Sequence, residues 1–260
     1  MSFVVNPYRF GGGAPAADFG NNSRDFDGTE DWIHIGDVFN FDSTGDDEVF
    51  TLAAWVKISE TAFQHILGRF GAAVTDRAWM FYATTAGKLR FFWSQGTGDP
   101  VATRIYETTS AVIDSTAWVH VAMEYDGTTA TLSDRVTMYI NGGTGLTVGS
   151  GLTAILENGD PQYIQTVTAP LNIGGSTNDA AGTSATRFTD GKLADVRIYD
   201  ALIGSTEVAN LAAGTDYQTN LVGWWLLNTD DVDDYAGVND GTNEPSAGTP
   251  SVFDADGPLD

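Results

Sequence analysis

The chain of 260 residues contains no cysteine. That excludes a disulfide framework, thiolate nucleophiles and cysteine-ligated metals, and it suits folding in a reducing cytosol. Basic residues are scarce: 12 Lys and Arg stand against 35 Asp and Glu, a formal charge of −23. Nucleic-acid binding draws its affinity from Lys and Arg contacts to phosphate, and no basic cluster offers that here. Anionic membranes are disfavoured on the same ground. No apolar run approaches the ~20 residues that a membrane-spanning helix needs. The opening stretch MSFVVNPYRFGGGAPAADFG has no basic n-region, and Asn6-Pro7 breaks its apolar run. A secretory signal is therefore not expected, and the chain reads as one made in the cytoplasm without nucleic-acid or membrane partners. Its acidic surface suits a salty or calcium-containing medium, unless some carboxylates converge on a cation.

What is present is turn chemistry and short alternating runs. Of the 30 glycines, many sit in turn dipeptides, among them Asp27-Gly28, Asp126-Gly127, Asn141-Gly142, Asn158-Gly159, Asp190-Gly191 and Asp240-Gly241. These supply the positive φ angles that tight turns require. Between them lie runs such as VFTLAAWVKI, AWMFYAT, KLRFFWS, AWVHVAMEYDG, RVTMYING and KLADVRIY. In the first, Phe50, Leu52, Ala54 and Val56 share one face and Val49, Thr51, Ala53, Trp55 and Lys57 the other. Many short strands at this spacing predict an all-β fold, an antiparallel β-sandwich of the jelly-roll kind. One short helix is expected near residues 205–213, with Ser205 as its N-cap, Glu207 in its first turn and Gly214 closing it. Residues 1–23 read as a Gly/Ala/Pro-rich arm and 24–260 as one sandwich. Within it, residues 215–260 supply a late strand, GWWLL, and an acidic tail that complete the same domain.

The ordered set FDGTEDWIHIG, FTLAAWVKI, AWVHVAMEYDG, VTMYING, LNIGG and FTDGKLADVRIYDALIGSTEVANL resembles the laminin-G-like, concanavalin-A-like jelly-roll domains over roughly residues 24–214. The segment NLVGWWLLNTDDVDDYAGVNDGT looks like the one with which many members of that family begin, yet here it follows the helix. Either it supplies the first strand from the end of the chain, as in a permuted module, or it is the start of a second module that has been lost; the former is expected, because GWWLL is too apolar to be left exposed. The resemblance implies a structural calcium in many members, where the F-D-G turn meets the closing strand. The matching positions are Asp27 and Asp195. Calcium takes six to eight oxygen ligands, and a carboxylate between Ala194 and Val196 in a packed strand is costly unless paired or coordinated. The alternative is that Asp27 only forms the turn and Asp195 caps backbone groups at a bulge.

The other candidates are weaker. NTDDVDDYAGVNDG lacks the spacing of a calcium-binding loop and reads as solvated. Trp93, at a strand end before a loop, is a candidate stacking platform for a sugar. His34, His65 and His120 are too scattered to name a site. Glu124 and Asp126 are the nearest approach to a glycosidase carboxylate pair, but Asp126-Gly127 is better explained as a turn, so no catalysis is expected. The first expectation for function is a non-catalytic structural or adhesive protein of a virus particle, such as a bacteriophage virion. It would contact other virion proteins through its arm, and a homo-oligomer is a further option. The alternative is a secreted or surface carbohydrate-binding module, hence an extracellular one with a glycan partner. A glycan-active enzyme is a third.

Overall fold

The computed structural model describes residues 22–41, 48–59, 62–96, 102–177, 185–229, 231–244 and 251–259. The expected N-terminal arm lies outside them except for its last two residues, and Asp230 of the acidic loop lies outside as well. The early strands are β1 (Ser23–Asp27), β2 (Trp32–Gly36), β3 (Val49–Ile58), β4 (Gln64–Phe70), β5 (Arg77–Ala83), β6 (Leu89–Gln95) and β7 (Ala102–Thr108). The middle ones are β8 (Val119–Asp126), β9 (Val136–Ile140), β10 (Thr147–Val148), β11 (Gly151–Asn158), β12 (Leu171–Ile173), β13 (Ser176–Thr177) and β14 (Ala185–Thr186). The chain closes with β15 (Asp190–Tyr199), helix α1 (Gly204–Ala212), β16 (Leu221–Trp225), β17 (Thr242–Glu244) and β18 (Val252–Asp254).

Two sheets make an all-β sandwich. One runs β18-β1-β15-β3-β8-β9, with β16 also on β15; the other runs β10-β11-β7-β6-β5-β4-β12-β2-β17. All pairings are antiparallel except β10 with β11. The alternation read in β3 is the observed one. Phe50, Leu52, Ala54 and Val56 enter the core between the sheets. Ala53, on the other face, meets Val208 and Leu211 of α1. Burying those two helix side chains contributes about 1.5–3 kcal/mol each. In the core Phe50 stacks on Phe41 at 4.0 Å and on Tyr125 at 5.3 Å, and Trp93 packs edge-on to Tyr106 at 5.1 Å.

The helix sits where the sequence puts it, but its start is built differently. Ile203, not Ser205, occupies the N-cap and offers no side-chain cap. The free N–H of Gly204 instead donates to Glu124 Oε1 on β8 at 2.6 Å, a charge-assisted bond supplied across the sheet. At the far end Gly214 adopts φ +76° and its N–H donates to Leu211 O. The late segment joins both sheets: β16 pairs with β15, β17 with β2, and β18 with β1. Beyond β18, Asp256 accepts from Lys57 and Lys192, both at 2.8 Å, and from Trp118 Nε1 at 3.1 Å. Those three bonds draw its pKa far below the ordinary carboxylate range, the Lys192 bond most.

Candidate functional site

Strands β5 and β6 carry apolar side chains on both faces, which a sheet with one solvated face has no reason to do, and Phe70 of β4 and Ile105 of β7 extend the outer set. Trp79, Phe81, Phe91, Trp93 and Tyr106 point into the core. On the opposite face Phe70, Met80, Tyr82 and Phe92 form a cluster of their own, with Ile105 packed against it. Cross-strand register makes them neighbours, since Met80 lies opposite Phe92 and Phe92 opposite Ile105. This second apolar face floors a groove of about 440 Å³. Phe63, Val74 and Leu156 stand on its rim as exposed apolar side chains. The size and the apolar lining with a few polar groups match those of small-ligand sites.

Three of the chain's 12 cationic side chains, Arg77, Arg90 and Arg187, line the same groove. The Arg77 guanidinium lies 4.8 Å from the centre of the Phe70 ring and that of Arg187 4.9 Å from the same ring. Arg77 donates to Gly71 O at 3.1 Å and Ala72 O at 2.7 Å. Burial first, and then the neighbouring Arg187 charge, lowers the pKa of Arg77 below its ordinary value. Arg187 is a non-glycine residue at φ +54°, held by its carbonyl, which accepts from the N–H of His65. Arg90 stands 5.7 Å over the Phe63 ring and pairs with Glu107 at 2.5 Å, a carboxylate it shares with Lys88.

Trp93 is not part of this site. Its side chain is fully buried, between Phe91, Tyr106 and Tyr125, so it cannot be a stacking platform. On β6 the inward set is Leu89, Phe91 and Trp93, and the groove takes Arg90 and Phe92 instead.

Asp27 and Asp195 do not come together. Asp27 pairs with Asp190, and Asp195 lies five residues further along β15, about 16 Å at a strand's rise per residue. Two ligands of one calcium must lie within about 5 Å of each other. The Asp27 carboxylate closes the turn, accepting from Thr29 N at 2.8 Å, Thr29 Oγ1 at 2.6 Å and Glu30 N at 3.0 Å. Gly28 is required there at φ +75°, because a Cβ would lie 2.7 Å from Asp190 Cβ. Asp195 sits at φ +51° in the bulge where the pairing of β15 with β3 shifts. Its Oδ1 accepts from Arg197 Nε at 2.8 Å and from Trp224 Nε1 at 2.6 Å. Arg197 in turn lies 4.2 Å from the centre of the Trp224 ring and reaches Asp216 at 2.8 Å. Asp195 is thus the partner of a buried cation, and the two positions do not fit a shared calcium. Among the described residues, no three His, Asp or Glu side chains converge to hold a metal ion.

The other carboxylates are structural too. Glu124 is held by Gly204 N and by Tyr139 Oη at 2.7 Å, and Asp126 takes the hydroxyls of Thr128 and Thr129. Asp234 of the acidic loop accepts from the N–H groups of Trp224, Ala236 and Asn239. Burial lowers the pKa of His65 and of His120 to about 3 each, and both imidazoles are neutral core groups at neutral pH.

Comparison with known proteins accords with this architecture. No curated protein matches the chain. Among solved structures it is similar to one from Bacteroides ovatus described as a carbohydrate-binding protein, at 17% identity and a TM-score of 0.57. That match covers 91% of this chain but 60% of the other, so this chain spans less than two-thirds of its length. A heptameric SAP-like pentraxin from Limulus polyphemus is similar at 14% identity, covering 77% of this chain and 84% of that one, with a TM-score of 0.47. At these identities the likeness is one of fold. The model of the concanavalin A-like lectin/glucanases superfamily, in its laminin G form, matches residues 27–209, most of the sandwich. The chain belongs to that superfamily.

Proposed function

We propose that the protein is a non-catalytic carbohydrate-binding module and that a saccharide lies in the groove on the outer face of β4 to β7. The observation that carries this reading is the second apolar, aromatic face of those strands, which the sandwich core does not need. A sugar ring offers an apolar C–H face and a hydroxyl edge. The Phe63 ring, 42% exposed, is placed to receive the first. Tyr82, Thr103, Asn158 and the arginines supply polar groups for the second. Membership of a superfamily of lectins and glucanases, together with a Bacteroides ovatus fold relative described as carbohydrate binding, supports the same conclusion. Binding without hydrolysis is favoured because Glu124 and Asp126, the nearest carboxylate pair in the sequence, both serve the fold.

The order of the two functions expected from the sequence is thereby reversed. The virus-particle reading rests on fold analogy and on an N-terminal arm that lies outside the described residues apart from its end. The groove favours the carbohydrate module, with an extracellular or surface setting as its natural place. The test is a glycan array probed with the wild-type protein and with Phe63→Ala. Recognition of a defined set of glycans that the variant loses supports the reading. Absence of any glycan binding by a folded wild-type protein overturns it.

A further inference from the structure

We propose that the groove selects an acidic saccharide and receives its carboxylate between the guanidinium groups of Arg77 and Arg187. This rests on the carbohydrate-binding reading and names the class of sugar.

The argument begins from scarcity. In a chain of charge −23, a cation at the surface ordinarily finds a carboxylate. Lys57 and Lys192 meet on Asp256, Lys88 and Arg90 on Glu107, and Arg104 on Glu157 and Asp160. Arg69 takes Asp37, and Arg197 takes Asp195 and Asp216. Arg77 and Arg187 have no carboxylate within ion-pair distance among the described residues, yet both line the groove. Both guanidiniums lie within 5 Å of the centre of one ring, that of Phe70, at 4.8 and 4.9 Å, and the Arg187 charge acts on Arg77.

Holding two like charges together without a carboxylate costs free energy, which the Phe70 ring and the Gly71 and Ala72 carbonyls offset in part. A second cost is visible at Arg187, which keeps a left-handed backbone at φ +54° that few non-glycine residues adopt. Such backbone strain gathers at ligand sites. A bound anion offsets the repulsion. The planar fork of guanidinium matches a carboxylate through two parallel N–H···O bonds, and a ring carboxylate brings an apolar sugar face that can lie against the same aromatic floor. The local cationic patch is also what lets an acidic ligand approach a protein of this net charge.

The experiment measures affinity by calorimetry for short oligosaccharides of three kinds: carboxylated (uronate or sialate), sulfated and neutral. The proteins are the wild type, Arg77→Gln, Arg187→Gln and Arg187→Lys, each checked for an unchanged melting curve. Arg187 is exposed, so its variants test binding rather than folding. The expected result is binding of a carboxylated sugar, weakened at least about tenfold by either Gln variant, as loss of a charge-assisted pair implies. Arg187→Lys is expected to restore only part of it, since a point charge replaces a fork. Preference for sulfated over carboxylated sugars overturns the carboxylate assignment. Tight binding of neutral sugars, unchanged in both Gln variants, overturns the inference and leaves the carbohydrate module standing. No binding of any saccharide removes both.

Discussion

Replacing Asp195 with alanine is expected to cost about 4 kcal/mol of folding stability, whether or not calcium is present. The figure is the low end of two lost contacts and a strained backbone, less what Asp216 restores. Arg197 is fully buried, and although burial works against its charge, the Asp195 carboxylate holds its pKa above the ordinary arginine value. Removing one partner of a buried ion pair costs about 3–5 kcal/mol, because the other charge is left uncompensated. The side chain of Trp224 loses its acceptor at the same time, a further cost of about 1–3 kcal/mol for a buried donor. Alanine at φ +51° adds about 1–2 kcal/mol. Asp216 remains on Arg197, with a side chain 41% exposed, and offsets part of the loss. Asn in place of Asp195 keeps the backbone conformation and an acceptor. It removes only the charge and is expected to cost about 1.5–3 kcal/mol. Urea unfolding of wild type, Asp195→Ala and Asp195→Asn in EDTA and in millimolar calcium measures both. A loss under 1 kcal/mol for alanine, or a loss seen only with calcium present, would refute the ion-pair account and return Asp195 to the metal.

Three further outcomes rest on buried groups elsewhere in the fold. Burial raises the pKa of Asp31 to about 6, so the folded state keeps a proton that the unfolded chain releases near 3.8. Its contribution to stability is present below pH 3.8 and is lost as the pH rises through about 6. Asp31→Asn should therefore raise the melting temperature more at pH 8 than at pH 4, and an equal shift at both would contradict this. His65 and His120 have pKa values lowered to about 3, so their contribution is full above 6.5 and falls away below it. By pH 5 each is expected to cost about 2 kcal/mol, an acid loss that His120→Gln should halve in unfolding titrations. Trp93→Ala should lose about 3–5 kcal/mol of stability as a cavity in the core; a folded variant of unchanged melting temperature that had lost sugar binding would restore the stacking role.

The sandwich was legible because the signal is local. Alternation in VFTLAAWVKI sets Phe50, Leu52, Ala54 and Val56 on one face, and burial follows that pattern. Trp93 was legible too by the same rule, since Leu89, Phe91 and Trp93 share a face; its nearness to a loop misled. Asp195 was recognised as a carboxylate that needs a partner, and the partner stood two residues away in the same strand. Positions i and i+2 share a face of a strand, so Arg197 is a cheaper answer than a metal ion. Ser205 failed as a cap because Glu124, far off in sequence, satisfied the helix first. The groove was the least legible element. A hint lay in AWMFYAT and LRFFWS, whose strands are aromatic on both faces where one face should be polar. That Arg77 and Arg187 meet at the Phe70 ring depends on folding alone, because nothing in their separate sequence neighbourhoods joins them.

The central claim is that a saccharide occupies the outer face of β4 to β7. Its most direct test is a titration of ¹⁵N-labelled protein with the best saccharide from the array, following backbone amide shifts. The account predicts shifts centred on Phe70, Met80, Tyr82, Phe92 and Ile105, with Arg77 and Arg187 at the margin. Shifts centred instead on the loop at Gly142, Gly143 and Gly145 beside α1, with the groove silent, would contradict it.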